Sequence, residues 1–300
     1  MQPDDSPEVP PEGRPELPSG PARPARRRRP WLRALIVLEV LVIVAAVTTT
    51  VLIVRHRSDG GQPASSPSGG PAAPVKITIA LHDAHSTVPG MPNFAIDSEY
   101  PVVSGLADAG LQGRVNMLVR QPMDTTAAAM TKEVSGYGSG AGDGFLAAKA
   151  VAYQAGRLVS VRYLFESQFP GAGDRNLSVA TVTVRIDTAE LVQMTAMFAG
   201  TPDDAKVAKV AAAVAQQPDV ASCVGGDPSA VNDLISGLFH HPDKTAVFPN
   251  WTDKGMQFTF EGGALGPFSC GVPAAVVPYA QLDGLLAPSV AALAGTATGS

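Results

Sequence analysis

Residues 34–54 read ALIVLEVLVIVAAVTTTVLIV, an unbroken apolar run whose single charge is Glu39. As a helix rising about 1.5 Å per residue, it would span roughly 31 Å, which matches the ~30 Å hydrocarbon core of a bilayer. One transmembrane helix is therefore expected over 34–54. The flanks set its direction. Arg23, Arg26, Arg27, Arg28, Arg29 and Arg33 precede the run with no acid among them, whereas Arg55 and Arg57, with His56, follow it closely. Positive charge stays on the cytoplasmic side, so the N-terminus is expected inside and the rest of the chain outside. A cleaved signal peptide would have a shorter apolar region of about 7–15 residues ending in small side chains. This run is longer and ends in Arg-His-Arg, so an uncleaved signal-anchor is the expectation, giving a single-pass protein of the cell membrane.

The arginine cluster is a topology signal and a contact for anionic lipid at the cytoplasmic face. Glu39 has two readings. An acid inside a span costs a few kcal/mol and by default suggests a contact with a partner helix. It also lies about six residues from the cytoplasmic end, near enough to snorkel, or to pair with Arg33 or a lipid head group.

Composition shifts sharply on either side of the run. Residues 1–30 contain nine prolines and no apolar periodicity, so 1–33 is expected to be a disordered cytoplasmic tail. Residues 55–74 are a Gly/Pro/Ser-rich linker; the 17 residues from Ser58 to Pro74 would hold their ends roughly 23 Å apart as a flexible coil. Residues 75–300 carry a net charge of −7. That sign gives no electrostatic basis for binding nucleic acid, whose phosphates need a basic face.

Residues 75–287 have the length of a single domain with its own core. Val75–Leu81 alternates as a half-buried strand, and Phe94–Val103 predicts a second. Residues 106–134 have helical spacing, with Pro122 forcing a kink or break. Leu146–Tyr153, Leu158–Glu166 and Leu177–Ile186 predict an antiparallel meander. Helices are expected over Asp203–Gln217 and Asp227–Phe239, the second with Asp227 as N-cap and Pro228 at N1. Strands at Met256–Phe260 and Ala274–Val277 follow, then a short helix over Tyr279–Leu286. Strands grouped apart from helices predict an α+β fold, an antiparallel sheet with packed helices. Residues 288–300 are expected to be a C-terminal tail.

Chemistry-bearing motifs are sparse. Cys223 and Cys270 are the two cysteines, and in an oxidising compartment such a pair most often forms a structural disulfide. His82 and His85 are three apart, a metal-like spacing, but no third ligand lies nearby in sequence and a surface loop after a strand explains them. His240 and His241 end a helix, where they complement its last carbonyls. Gly136-Tyr137-Gly138-Ser139-Gly140 lacks the lysine of a phosphate cradle and the order of a nucleophile elbow. No catalytic, cofactor or metal residue is assigned, and the expectation is a binding domain rather than an enzyme.

Several phrases, in order, resemble a known family: Tyr100-Pro101-Val102-Val103-Ser104-Gly105-Leu106 followed by Val115-Asn116, then LVSVRY from Leu158 to Tyr163, then VTVRIDTAEL from Val182 to Leu191. The ending is WTDKGMQFTF from Trp251 to Phe260 and VVPYAQLDGLL from Val276 to Leu286. Together they resemble the RsiV-type extracytoplasmic domain, over about residues 95–287. That domain occurs in the lysozyme-sensing anti-sigma factor RsiV, beside peptidoglycan deacetylase domains and in secreted actinobacterial immunogens. The resemblance implies an envelope domain that takes a protein or glycan partner, or a sensor relaying envelope stress. In the loop where the family shows a Gly-Gly-small-His phrase this chain has Pro170-Gly171-Ala172-Gly173-Asp174, so no role of that histidine carries over. About 33 Pro-rich cytoplasmic residues do not build a folded sigma-binding domain, so sigma-factor control is not implied.

Overall fold

The computed structural model describes residues 77–295 apart from 139, 141, 201 and 226. The expected tail at 1–33, span at 34–54 and linker at 55–74 lie outside these residues, and with them Arg26, Arg27, Arg28, Arg29, Arg33 and Glu39. No helix among the described residues is long and apolar enough to cross a membrane.

The described residues open with a long hairpin. β1 (Thr78–Val88) pairs antiparallel with β2 (Met91–Ser104), from Thr78 opposite Ser104 to Thr87 opposite Ala95. The turn is Pro89-Gly90, with Gly90 at φ +79°. β1 runs seven residues beyond the expected end at Leu81, so His82 and His85 stand in a strand and not in a loop. The reason is burial: β1 is an edge strand exposed on both faces, so it has no apolar alternation to reveal it.

A single long helix, α1 (Ala109–Val134), follows. The Asp108 carboxylate accepts from Leu111 N at 2.9 Å and caps its start. Val115, Val119 and Met123 recur every four residues and bury one face. Pro122 lies inside the helix without breaking it. A proline in a helix interior costs about 3 kcal/mol, which the buried stripe offsets.

α1 is a crossover. β3 (Gly144–Ala155) returns parallel to β2, from Phe94 opposite Gly144 to Ser98 opposite Ala148. This parallel pair corrects the expected all-antiparallel sheet. Only glycine fits at 144, because a Cβ there would lie 2.7 Å from the Phe94 ring and 2.8 Å from Gln168 O. β4 (Leu158–Gln168) and β5 (Asn176–Arg185) complete the expected meander, and the two-residue β6 (Glu190–Leu191) ends the sheet in the order β1 to β6. The meander's alternation puts Leu146, Val161, Tyr163, Phe165, Val182 and Val184 under α1, all buried.

The second half builds its own core. A short α2 (Met194–Met197) leads to α3 (Asp204–Ala215), α4 (Pro218–Val224) and α5 (Ser229–His240). The N-cap position of α5 is Pro228 rather than Asp227, but Asp227 Oδ1 still accepts from Ser229 N at 2.9 Å. β7 (Val247–Trp251), β8 (Met256–Phe260) and β9 (Ala274–Val277) form an antiparallel three-stranded sheet. Val207, Val210, Val214, Val231, Ile235 and Leu238 from the helices pack on Trp251, Met256, Phe258 and Phe260.

This layer sits on the end of the large sheet away from the β1–β2 turn. Ser160 Oγ and Thr183 Oγ1 meet at 2.9 Å, and Trp251 N donates to Ser160 Oγ at 3.0 Å, all buried. The domain also extends past residue 287. Where a tail was expected, α6 (Pro288–Leu293) buries Val290, and Leu293 O accepts from Arg157 N at 2.7 Å.

Candidate functional site

Beyond Ser98 and Ala148 the parallel pairing of β2 with β3 stops, and side chains take over the work of the ladder. Glu99 Oε1 accepts from Ala150 N at 2.9 Å. Further along β2, Asn116 of α1 bonds Val103 at both its N–H and its C=O. The strands part here, and a groove of about 390 Å³ opens on the sheet face opposite α1, lined by Asp83, His85, Asp97, Glu99 and Lys149 among others.

Register explains the assembly. His85 stands opposite Asp97, Asp83 opposite Glu99, and Asp97 opposite Ala147, so alternate residues of three strands point into one face. His85 Nδ1 and Asp97 Oδ1 are 2.6 Å apart, both mostly exposed. Lys149 Nζ stands 3.8 Å from Glu99 Oε2. The groove thus presents acids and a cation side by side, a surface suited to polar recognition.

His85, Asp97 and the neighbouring Ser98 are the residue types of a hydrolytic triad, but the pleat separates them. Ser98 is on the opposite face of β2, where its Oγ donates to Ala84 O at 3.4 Å. Among the described residues His85 bonds Asp97 and no hydroxyl, and Ser98 Oγ is turned to Ala84 O rather than to His85.

The same period of two parts the histidine pair. His82 points the other way from His85 and stacks on Tyr100 at 6.1 Å, with the Arg120 guanidinium 4.3 Å from the centre of that ring. Among the described residues no three His, Cys, Asp or Glu side chains converge as a metal site would require. His240 Nε2 lies 3.1 Å from Asp204 Oδ1 and ties the end of α5 to the start of α3. In the Gly-rich loop, Tyr137 stacks on Phe169 at 6.2 Å, so that loop is anchored by an aromatic contact.

Cys223, at the end of α4, and Cys270, in the 3₁₀ turn Phe268–Cys270, come together across 46 intervening residues as free thiols and not as a disulfide. Cys223 Sγ lies 4.0 Å from Cys270 O, and the contact with the Cys223 side chain pushes the Cys270 thiol pKa up.

Sequence reasoning missed Asp97, Glu99 and Lys149, because the groove is assembled by register between segments some fifty residues apart. The one local signal was the excess of polar residues on both faces of β1.

No family model matches the chain, and no curated protein matches it. Among solved structures it is similar to a DUF3298 family protein from Pseudomonas aeruginosa, with 14% identity and a TM-score of 0.47 over 72% of this chain and 96% of that one. It is also similar to a member of the DUF3298 family from Bacteroides fragilis, with 10% identity and a TM-score of 0.44 over 70% of this chain and 93% of that one.

Proposed function

We propose that this chain is a single-pass membrane protein of the bacterial envelope whose extracytoplasmic α+β domain is a non-catalytic binding module for an envelope protein or glycan. The observation that carries the binding reading is the groove on β1–β3, which sets Asp83, Asp97, Glu99, His85 and Lys149 on one open face. Anchoring rests on the apolar run 34–54 and the arginines before it, which also contact anionic lipid. The resemblance of the motifs from Tyr100 to Leu286 to the RsiV-type domain supports the envelope setting. In an oxidising envelope compartment the neighbouring thiols of Cys223 and Cys270 would be oxidised to a disulfide.

A second reading is a transmembrane sensor. Glu39 inside the apolar run favours it, since an acid there would bind a partner helix. Loss of an envelope-stress response on Glu39→Leu would support it.

The binding reading is tested by calorimetric titration of the purified full chain with lysozyme, and separately with wall-glycan fragments, at about 0.15 M and about 0.5 M salt. The two salts differ in screening length by nearly twofold, which separates specific contacts from the diffuse attraction of an acidic domain. Saturable binding that persists at the higher salt supports the proposal. Hydrolysis or deacetylation of the glycan by the chain alone overturns its non-catalytic part.

A further inference from the structure

Arg162 is a guanidinium in the wrong place for a purely structural arginine. It sits in β4, on the face that meets the three-stranded sheet, and is only partly reached by solvent. No carboxylate among the described residues pairs with it. Among the described residues its guanidinium makes one long hydrogen bond, 3.4 Å from Nη1 to Thr259 Oγ1, and its buried Nε has no partner. Burial holds its pKa below the usual guanidinium range, and Tyr153 is the one nearby group that opposes the fall. A charge drawn partly out of water with no carboxylate beside it is unfavourable, and an opposite charge that joins it relieves that cost.

The wall facing Arg162 is equally unsatisfied. The Arg162–Thr259 bond places one face of β8 against β4, and Gln257 lies two residues along that face. Asn250 stands directly opposite Gln257 in β7. Asn250 is fully buried, yet among the described residues neither its Oδ1 nor its Nδ2 has a partner, and Gln257 Oε1 has none either. Buried polar atoms are nearly always paired, so three unpartnered amide atoms near a guanidinium with no carboxylate suit a polar ligand.

We propose that the layer between the two sheets binds a carboxylate carrying an adjacent hydrogen-bond donor, with Arg162 on the carboxylate and Asn250 and Gln257 accepting from the donor. A guanidinium fork matches the two oxygens of a carboxylate, and one cation matches one negative charge. Thr259 and Asn250 Nδ2 supply further donors to the carboxylate. The two amide oxygens call for an O–H or N–H on the same ligand, which both a hydroxy acid and an N-acyl amino acid provide. The site lies apart from the groove on β1–β3 and does not depend on that reading.

The test is the melting temperature of the full chain with lactate, N-acetylglycine or acetate, with lactamide as the uncharged control. At about ten times the dissociation constant, lactate or N-acetylglycine raises the melting temperature by about 3 °C, and lactamide does not. The stronger response of the two identifies the donor as hydroxyl or amide. Arg162→Met abolishes the rise and melts no lower than the wild type without ligand, because it removes a half-buried charge that has no carboxylate partner. Gln257→Met weakens lactate and N-acetylglycine several-fold and leaves acetate unchanged. A wild type that responds to none of the carboxylates, or an Arg162→Met chain that still responds, overturns the proposal.

Discussion

Asn116 completes the hydrogen bonding of Val103 from outside the sheet, its Oδ1 accepting from Val103 N at 2.7 Å and its Nδ2 donating to Val103 O at 2.9 Å. The side-chain amide of a helix here does what a neighbouring strand would do, which lets β2 leave β3 and opens the groove beside Glu99. Asn116→Leu leaves both groups of Val103, a fully buried residue, without partners. The expected loss is about 2–3 kcal/mol in a urea melt. An unchanged midpoint would show that β2 is held by packing alone.

The starts of α1 and α5 make stability depend on acid. The backbone N–H of Leu111 holds the Asp108 carboxyl below its ordinary value of 3.8, and that of Ser229 does the same for Asp227. A lowered folded pKa means each group stabilises the fold fully above the unfolded value, and that contribution is lost as the pH falls from 3.8 through the folded value. Asp108→Asn keeps a capping oxygen, so its urea midpoint is expected to fall less between pH 5 and pH 3 than that of the wild type. A parallel fall in both chains would contradict the assignment.

How far the fold was legible depended on burial. The meander from β3 to β5 alternated because one face is packed under α1, and Leu158–Tyr163 could be placed from sequence alone. The second half of β1 could not, since His82, Asp83, Ala84 and His85 are exposed on both faces and leave no period to read. The parallel return of β3 depends on a helix crossing between distant segments, and no local pattern encodes it. α6 was hidden by its length: six residues with Val290 as the one buried anchor give no helical stripe. Arg162 and Asn250 fall in alternating strands like any other polar residues, and only the contact of two sheets shows a buried Asn250 amide and a buried Arg162 Nε without partners among the described residues.

Gly156 permits the docking of α6. It adopts φ +55° in the β3–β4 turn, and a Cβ there would overlap Leu293 O, the acceptor for Arg157 N. Gly156→Ala therefore both strains the turn and pushes α6 away. The expected outcome is a loss of about 2 kcal/mol and faster proteolysis after residue 287. Cleavage at the wild-type rate would mean that α6 is held elsewhere.

If the groove on β1–β3 is the binding face, a photoreactive residue in place of exposed Lys149 captures a partner in living cells, whereas one in place of Met117, also exposed but on α1, does not. Removing these contacts by Asp97→Ala with Lys149→Ala is expected to cost less than about 0.5 kcal/mol per substitution, because the side chains of Asp97 and Lys149 are open to solvent. Capture at both positions, or at 117 alone, would place the partner on another face.

Thiol chemistry reports the compartment. Protein isolated without reductant is expected to show no reactive thiol, and two after reduction, with Cys223 joined to Cys270. Two reactive thiols in the native isolate would mean that the pair stays reduced in the cell.

The most direct test of the account is protease treatment of intact cells carrying the full chain with an epitope ahead of residue 2. The epitope is expected to stay protected while residues 75–300 are removed from outside. Protection of residues 75–300 with loss of the epitope, or protection of both, would contradict an extracytoplasmic binding domain.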